Sequence, residues 1–171
     1  MDDLIAFKIV RLPKIRVVGR ELRYSDEALN SGDNRLPAFW EQCEKEDVFA
    51  PLIAQGPFIF ENAPAGVFLD WDLGDGDFSY IVGMLMKEGA AVPEGYFARD
   101  LPATEAAFCR VQCQAVTETR AVSFESTAAA VEKAGRSLAG MKWCADLYDP
   151  VRSKAPDENG YVTLDCYIPL D

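Results

Sequence analysis

The sequence predicts an α+β fold in which a strand–helix–strand–strand (βαββ) unit occurs twice. Two such units can pack face to face and leave a cleft along their seam. Three observations carry this expectation. Leu12-Pro13-Lys14-Ile15 and Leu101-Pro102-Ala103-Thr104 open two similar halves. An amphipathic or alanine-rich helical stretch follows each opening, and two apolar strand-like runs follow each helix. The 171 residues suit one domain with a full core, with halves at about 5–88 and 96–171.

Taken in order, Phe7–Leu12 alternates apolar and basic residues and reads as a strand stopped by Pro13. Ile15–Tyr24 carries β-branched Ile15, Val17 and Val18 and reads as a second strand. Ser25–Leu36, with Ser31-Gly32-Asp33-Asn34, is a polar loop. Pro37 suits the first turn of a helix with the stripe Phe39, Trp40, Cys43, Val48 and Leu52; Pro51 should disturb it and Gly56-Pro57 end it. Ala65–Trp71 and Phe78–Met86 are strands joined across Asp72-Leu73-Gly74-Asp75-Gly76-Asp77. That link reads as a hairpin turn, since it lacks the ligand spacing and closing Glu of a calcium loop. Tyr96–Arg99 is a short edge strand and Ala103–Cys113 a long one. A helix runs from Ser123, where Ser123 or Ser126 can cap it, through Leu138 to a stop at Gly140. Cys144–Tyr148 and Tyr161–Ile168 complete the second unit.

Composition excludes much chemistry. There is no histidine, so no Ser-His-Asp triad, Cys-His pair or His-ligated metal can form. Proton transfer would rest on Asp, Glu, Lys, Tyr or Cys. The formal charge is −11, from 17 basic and 28 acidic residues, which opposes nucleic-acid binding and is compatible with a cationic ligand. Apolar residues make up 49% of the chain, yet no run reaches the length of a membrane span, and Met1-Asp2-Asp3-Leu4 lacks the basic start of a signal peptide. A cytoplasmic protein is expected. The five cysteines, Cys43, Cys109, Cys113, Cys144 and Cys166, contain no CxxC spacing and read as buried reduced thiols, with no metal site and no cofactor. No nucleophile motif or phosphate-binding glycine loop appears, so no catalytic residue is assigned.

Four acids sit inside or beside apolar strands: Asp70, Asp72, Asp146 and Asp165. A carboxylate facing a core is costly unless paired, so each either points outward or serves a function. Aromatic residues share these segments. Asp146 and Tyr148 are two apart and lie on one face of their strand, as do Asp165 and Tyr167. A carboxylate beside aromatic rings suits an organic cation, through charge pairing and cation–π attraction of about 0.5–2 kcal/mol per ring. Tyrosines with rings in the core and hydroxyls at its edge give the plain structural alternative.

Motifs spread over most of the chain carry a family resemblance. Leu36-Pro37-Ala38-Phe39-Trp40 is similar to an Ile-Pro-x-x-Trp helix start. Asp77-Phe78-Ser79-Tyr80-Ile81-Val82-Gly83 is similar to an Asp-Phe-x-Tyr-x-x-Gly strand. Val92-Pro93-Glu94-Gly95 with Leu101-Pro102-Ala103 is similar to the start of a second half, and Asp165-Cys166-Tyr167-Ile168-Pro169-Leu170 to a closing Glu-Ile-Tyr-Ile-Pro-Leu. In this order the chain resembles the gyrase-inhibitor-like (GyrI-like) proteins, also seen as the effector-binding domain of AraC-type and multidrug-sensing regulators.

The resemblance implies a duplicated βαββ fold with pseudo-twofold symmetry, an antiparallel sheet with helices packed on one side of it and a ligand cleft at the seam, and it implies that hydrophobic, often cationic, small molecules bind there. It places the family's ligand-facing Glu, two residues before a Tyr, at Asp146, one methylene shorter, and its first-half pocket tyrosine at Tyr80. The family's usual histidine after the second Leu-Pro strand is missing. The expected module stands alone, without a DNA-binding domain. Asp146 supplies charge, with Tyr80, Tyr148, Phe108, Tyr167 and Trp71 as walls. Its expected partners are a hydrophobic or cationic small molecule and at most a second copy in a homodimer, with no nucleic acid and no membrane. Two alternatives accompany this reading: a hydrolase of reactive small molecules with Asp146 as base, and a gyrase-binding inhibitor with an acidic surface.

Overall fold

A computed structural model describes residues 4–25, 27–28, 31–32, 35–71, 76–114, 119–139, 142–153 and 155–171. The strands are β1 (Leu4–Leu12), β2 (Ile15–Ser25), β3 (Ala65–Leu69), β4 (Asp77–Lys87), β5 (Phe97–Leu101), β6 (Thr104–Cys113), β7 (Trp143–Leu147) and β8 (Val162–Pro169). The helices are α1 (Leu36–Lys45), α2 (Ala50–Ile53) and α3 (Thr119–Lys133), with a 3-10 turn at Gly56–Phe58. All eight strands join one antiparallel sheet in the order β1-β6-β8-β7-β3-β4-β2-β5.

The duplication is visible in that order. Outward from the central β7–β3 pair, one side reads β7, β8, β6 and the other β3, β4, β2. Each outermost strand comes from the other side of the chain. β1 precedes β2 but pairs with β6, and β5 precedes β6 but pairs with β2.

Two short links then dictate the curvature. β1 and β2 stand six strand spacings apart in the sheet order, roughly 29 Å if the sheet were flat. Only Pro13-Lys14 joins them, and Leu12 to Ile15 can span at most about 11 Å. Pro102-Ala103 imposes the same limit on β5 and β6. The sheet must therefore curl until its two ends converge. Its concave face closes on itself, and one cluster there takes residues from every strand, including Leu12, Val17, Val67, Ile81, Leu101, Phe108, Ala145 and Tyr167, with no helical residue.

The helices cover the opposite, convex face. α1 lays Leu36, Phe39, Trp40 and Cys43 against Phe68, Tyr80 and Val82. α3 packs Val131 against Ala107 and Leu170. The single-sided helix packing and the strand–helix–strand–strand order repeated along the chain agree with expectation, whereas three helix boundaries differ. The apolar stripe from Phe39 to Leu52 is broken at Asp47, which takes a left-handed φ of 51°. Pro51 thus lies in the first turn of α2, which begins at Ala50, instead of disturbing a longer helix. α3 starts at Thr119, so Ser123 and Ser126 are interior to it and not its caps. It ends before Gly135 (φ 73°), which supplies the left-handed stop expected at Gly140. Gly140, Asp33-Asn34 and the turn residues Asp72–Asp75 lie outside the described residues. Among the described residues, no helix is long and apolar enough to cross a membrane.

On the concave face, the Tyr167 hydroxyl donates to Glu61 at 2.7 Å. Burial, then the Glu61 hydrogen bond and charge, push this phenol above its ordinary value of 10.0. The folded state thus holds the proton more tightly than the unfolded chain does. That stability is fully present below pH 10 and is lost as pH rises beyond it. Cys43 (pushed up to about 11 by burial) and Cys109 add to the same alkaline slope from about pH 9. Tyr167→Phe is expected to lower neutral-pH stability by about 1 kcal/mol and to flatten the loss above pH 10. Urea unfolding at a series of alkaline pH values checks this, and parallel slopes in the two proteins would refute it.

Candidate functional site

The acids of the strands separate once their partners are seen. Asp165 receives a two-pronged contact from Arg110 at 2.7 and 2.9 Å, with Arg152 at 3.4 Å. Asp70 accepts from Arg99 at 2.6 Å. Both are ion pairs near the surface. Asp72 lies outside the described residues. Asp146 differs, being 1% exposed and set on β7, one of the two central strands.

Antiparallel partners share a face, so register places every candidate. Asp146 pairs with Gly66 on one side and Cys166 on the other. Tyr80 pairs with Phe68, which pairs with Cys144, two residues from Asp146. Asp146, Gly66, Phe68 and Tyr80 thus lie on the helix-covered face at the seam. Tyr148 directly follows β7, its N–H bonded to the Pro64 carbonyl at 2.8 Å, and its contacts with Trp40, Cys109 and Leu164 place it on the Asp146 side. Phe108 pairs with Tyr167, which pairs with Ala145, and these three occupy the concave face. The structure brings Asp146, Tyr80, Tyr148 and Trp71 to one layer and sets Phe108 and Tyr167, 5.2 Å apart, in the other.

The aromatic residues of the first layer form a chain across the seam. Trp71 stacks on Phe68 at 5.2 Å, and Phe68 lies 4.7 Å from Tyr80. The Trp40 indole N–H donates to the Tyr80 hydroxyl at 2.7 Å, and the Trp40 ring meets Tyr148 at 4.9 Å. Tyr148 also packs against Cys109, Val111 and Leu164, and so touches both halves. Gly66 is what allows the chain to pass beside Asp146. A Cβ at Gly66 would collide with the Tyr80 hydroxyl and reach within 3.2 Å of Trp40. Trp40, Phe68 and Gly66 were absent from the expected site. The Leu36-Pro37-x-x-Trp40 helix start was the one sequence signal for Trp40; Gly66, between Ala65 and Val67, gave none.

The site is therefore an apolar, aromatic layer with the buried carboxylate of Asp146 on the same face of the sheet. Such an arrangement can hold a hydrophobic cation, which gains a charge partner and ring faces together. Beside Asp146, the Cys166 thiol is held well above its ordinary range by the hydrogen bond with Cys144, then by burial and nearby charge. A separate cleft of about 510 Å³ opens among Leu69, Arg99, Asp100, Thr104, Lys142 and Trp143, and none of the six candidate residues lines it. Asp70 and Arg99, which border it, are spent on each other.

Comparison with known proteins follows the same lines. No protein-family model matches the chain, and a search of the curated proteins finds no match either. Solved structures do match over nearly the whole length. SAV2435, solved bound to tetraphenylphosphonium, has 14% identity and a TM-score of 0.67, over 98% of this chain and 94% of its own. A transcription-regulation protein from Staphylococcus aureus MU50 has 14% identity and a TM-score of 0.63, over 97% and 98%. The integron cassette protein VCH_CASS2 of Vibrio cholerae has 11% identity and a TM-score of 0.61, over 98% and 97%. The chain has the fold of these proteins, the α+β fold that its motif resemblance to GyrI-like proteins implies.

Proposed function

We propose that this chain binds hydrophobic or amphipathic organic cations in the seam between its halves. Asp146 is the charge partner, and Tyr80, Tyr148 and Trp71, joined by Trp40 and Phe68, are the walls. The observation that carries this reading is the position of Asp146. It is a carboxylate 1% exposed, on a central strand, on the sheet face that carries the aromatic chain from Trp71 through Phe68, Tyr80 and Trp40 to Tyr148. A protein with this fold bound to tetraphenylphosphonium supports the ligand class.

Because Asp146 is buried, a ligand reaches it only if part of the cover moves. Trp40 is the side chain that spans Tyr80, Tyr148 and the space over Gly66. Binding displaces its ring and replaces the Tyr80 hydrogen bond with contacts to the ligand. Two of the three tryptophans, Trp40 and Trp71, lie in this layer, whereas Trp143 is on the concave face. Titration with tetraphenylphosphonium is therefore expected to give a saturable change in tryptophan fluorescence. A strictly linear response up to millimolar ligand would count against the proposal.

A further inference from the structure

The floor of the seam holds a second set of donors. Cys144 and Asp146 alternate on β7 and point to one face, and Cys166 on β8 is the register partner of Asp146. All three residues are buried, and their two sulfurs and one carboxylate oxygen lie within 4.8 Å of one another. The sulfurs of Cys144 and Cys166 are 3.8 Å apart.

That separation has a chemical meaning. In a tetrahedral zinc site with Zn–S of about 2.3 Å, two thiolate sulfurs stand about 3.8 Å apart. The pair is already spaced to share one ion without backbone movement. A disulfide would require the sulfurs to close to about 2.05 Å, on two paired strands near the middle of the sheet. The donor set also selects the ion. Two thiolates and one carboxylate suit a borderline or soft dication and not magnesium or calcium, which take oxygen ligands. Charge favours the ion as well. Three anions packed in an apolar layer are strongly unfavourable without a cation, and a dication cancels most of that charge when it displaces the thiol protons.

We propose that Cys144, Asp146 and Cys166 form a site for a thiophilic divalent metal of the zinc class. Three protein ligands leave a fourth position for water or a small ligand. The cysteines follow no ligand spacing along the chain, so the sequence alone predicts no metal; the β7–β8 register brings them together. This site is separate from the organic-cation reading, although both use Asp146. A dication on that carboxylate removes the charge that an organic cation would need, so the two ligands compete.

The test uses the reduced full chain and cobalt as a spectroscopic stand-in for zinc. One equivalent of Co²⁺ is expected to produce thiolate-to-cobalt charge-transfer absorption with the visible bands of tetrahedral cobalt, and Zn²⁺ is expected to bleach both. Cys144→Ser and Cys166→Ser should each lower Co²⁺ affinity by about 100-fold or more, while Cys43→Ser, on α1, leaves it unchanged. Circular dichroism identifies any variant that fails to fold, and Asp146→Asn then serves as the second variant, expected to weaken binding with both thiols kept. Absence of thiolate absorption in the folded, reduced parent overturns the proposal, as does undiminished absorption in a folded Cys144→Ser. Tetraphenylphosphonium titration of Cys144→Ser keeps the two readings apart. Loss of cobalt binding with the organic cation still bound supports the metal site. Cobalt binding in a parent that ignores the organic cation supports it too, and overturns the earlier reading alone.

Discussion

Gly83→Ala is expected to lower the melting temperature by about 6–12 °C. Gly83 on β4 faces Gly19 on β2, and both lie on the concave side of the curled sheet with Val17, Ile81 and Leu85. A Cβ at Gly83 would run into the Val18 carbonyl oxygen and stand 2.6 Å from the Gly19 Cα; one at Gly19 would stand 2.7 Å from the Gly83 Cα. These neighbours are backbone atoms, so no side-chain rotation relieves the clash. The two strands must part, and the curl that lets Pro13-Lys14 and Pro102-Ala103 close their links must open with them. Overpacking of this kind costs about 3 kcal/mol, and a domain of this size loses about 2–4 °C per kcal/mol. Gly160→Ala is the control. Its φ is 84° and nothing lies within 4 Å of a Cβ there, so only the left-handed backbone penalty of about 1 kcal/mol applies. Thermal unfolding of both variants decides the matter. A Gly83→Ala protein that melts within 1 °C of the parent would show that the paired glycines do not set the curvature.

The strands were legible in the sequence because strand chemistry is local. Alternation, β-branching and proline stops put their limits within a few residues of β1–β8. The helix ends were less so. Gly135 and Gly140 both look like stops, and only the backbone at Gly135 shows which one the chain uses. The face of each strand residue was legible only within its own strand. Spacing groups Asp146 with Tyr148 and Asp165 with Tyr167, but period-two arithmetic cannot say whether two strands present the same face to the same layer. That depends on register. The Asp146–Cys166 pairing sends Tyr167 to the concave side, so the two Asp-x-Tyr pairs, identical as patterns, end in different layers. The curl was hidden for a related reason. A Leu-Pro link looks like any tight turn until the sheet order shows that it joins strands six positions apart.

Asp146→Asn should weaken tetraphenylphosphonium binding by about 10- to 100-fold and leave the fold at least as stable as before. Asparagine keeps the shape and volume of the side chain and removes the charge. A charge-assisted contact in a low-dielectric layer contributes about 1.5–3 kcal/mol, which corresponds to roughly that range of affinity. The stability half of the argument runs the other way. A carboxylate 1% exposed is costly to desolvate, and the Cys166 thiol beside it, its proton held well above the ordinary range, offers it a hydrogen bond and not a full positive charge. Neutralising it relieves that cost, so the variant is expected to melt at or above the parent's temperature. Weaker binding together with equal or greater stability is the signature of a residue kept for its ligand. The aromatic layer should hold a neutral tetraaryl compound of the same size equally well in both proteins, because its contribution is area and ring contact, not charge. Fluorescence titrations with the charged and neutral compounds, read beside the two melting curves, separate these effects. Equal affinity of parent and variant for the phosphonium would remove Asp146 from the site. A variant that loses both compounds and melts well below the parent would show that the carboxylate serves packing and not recognition.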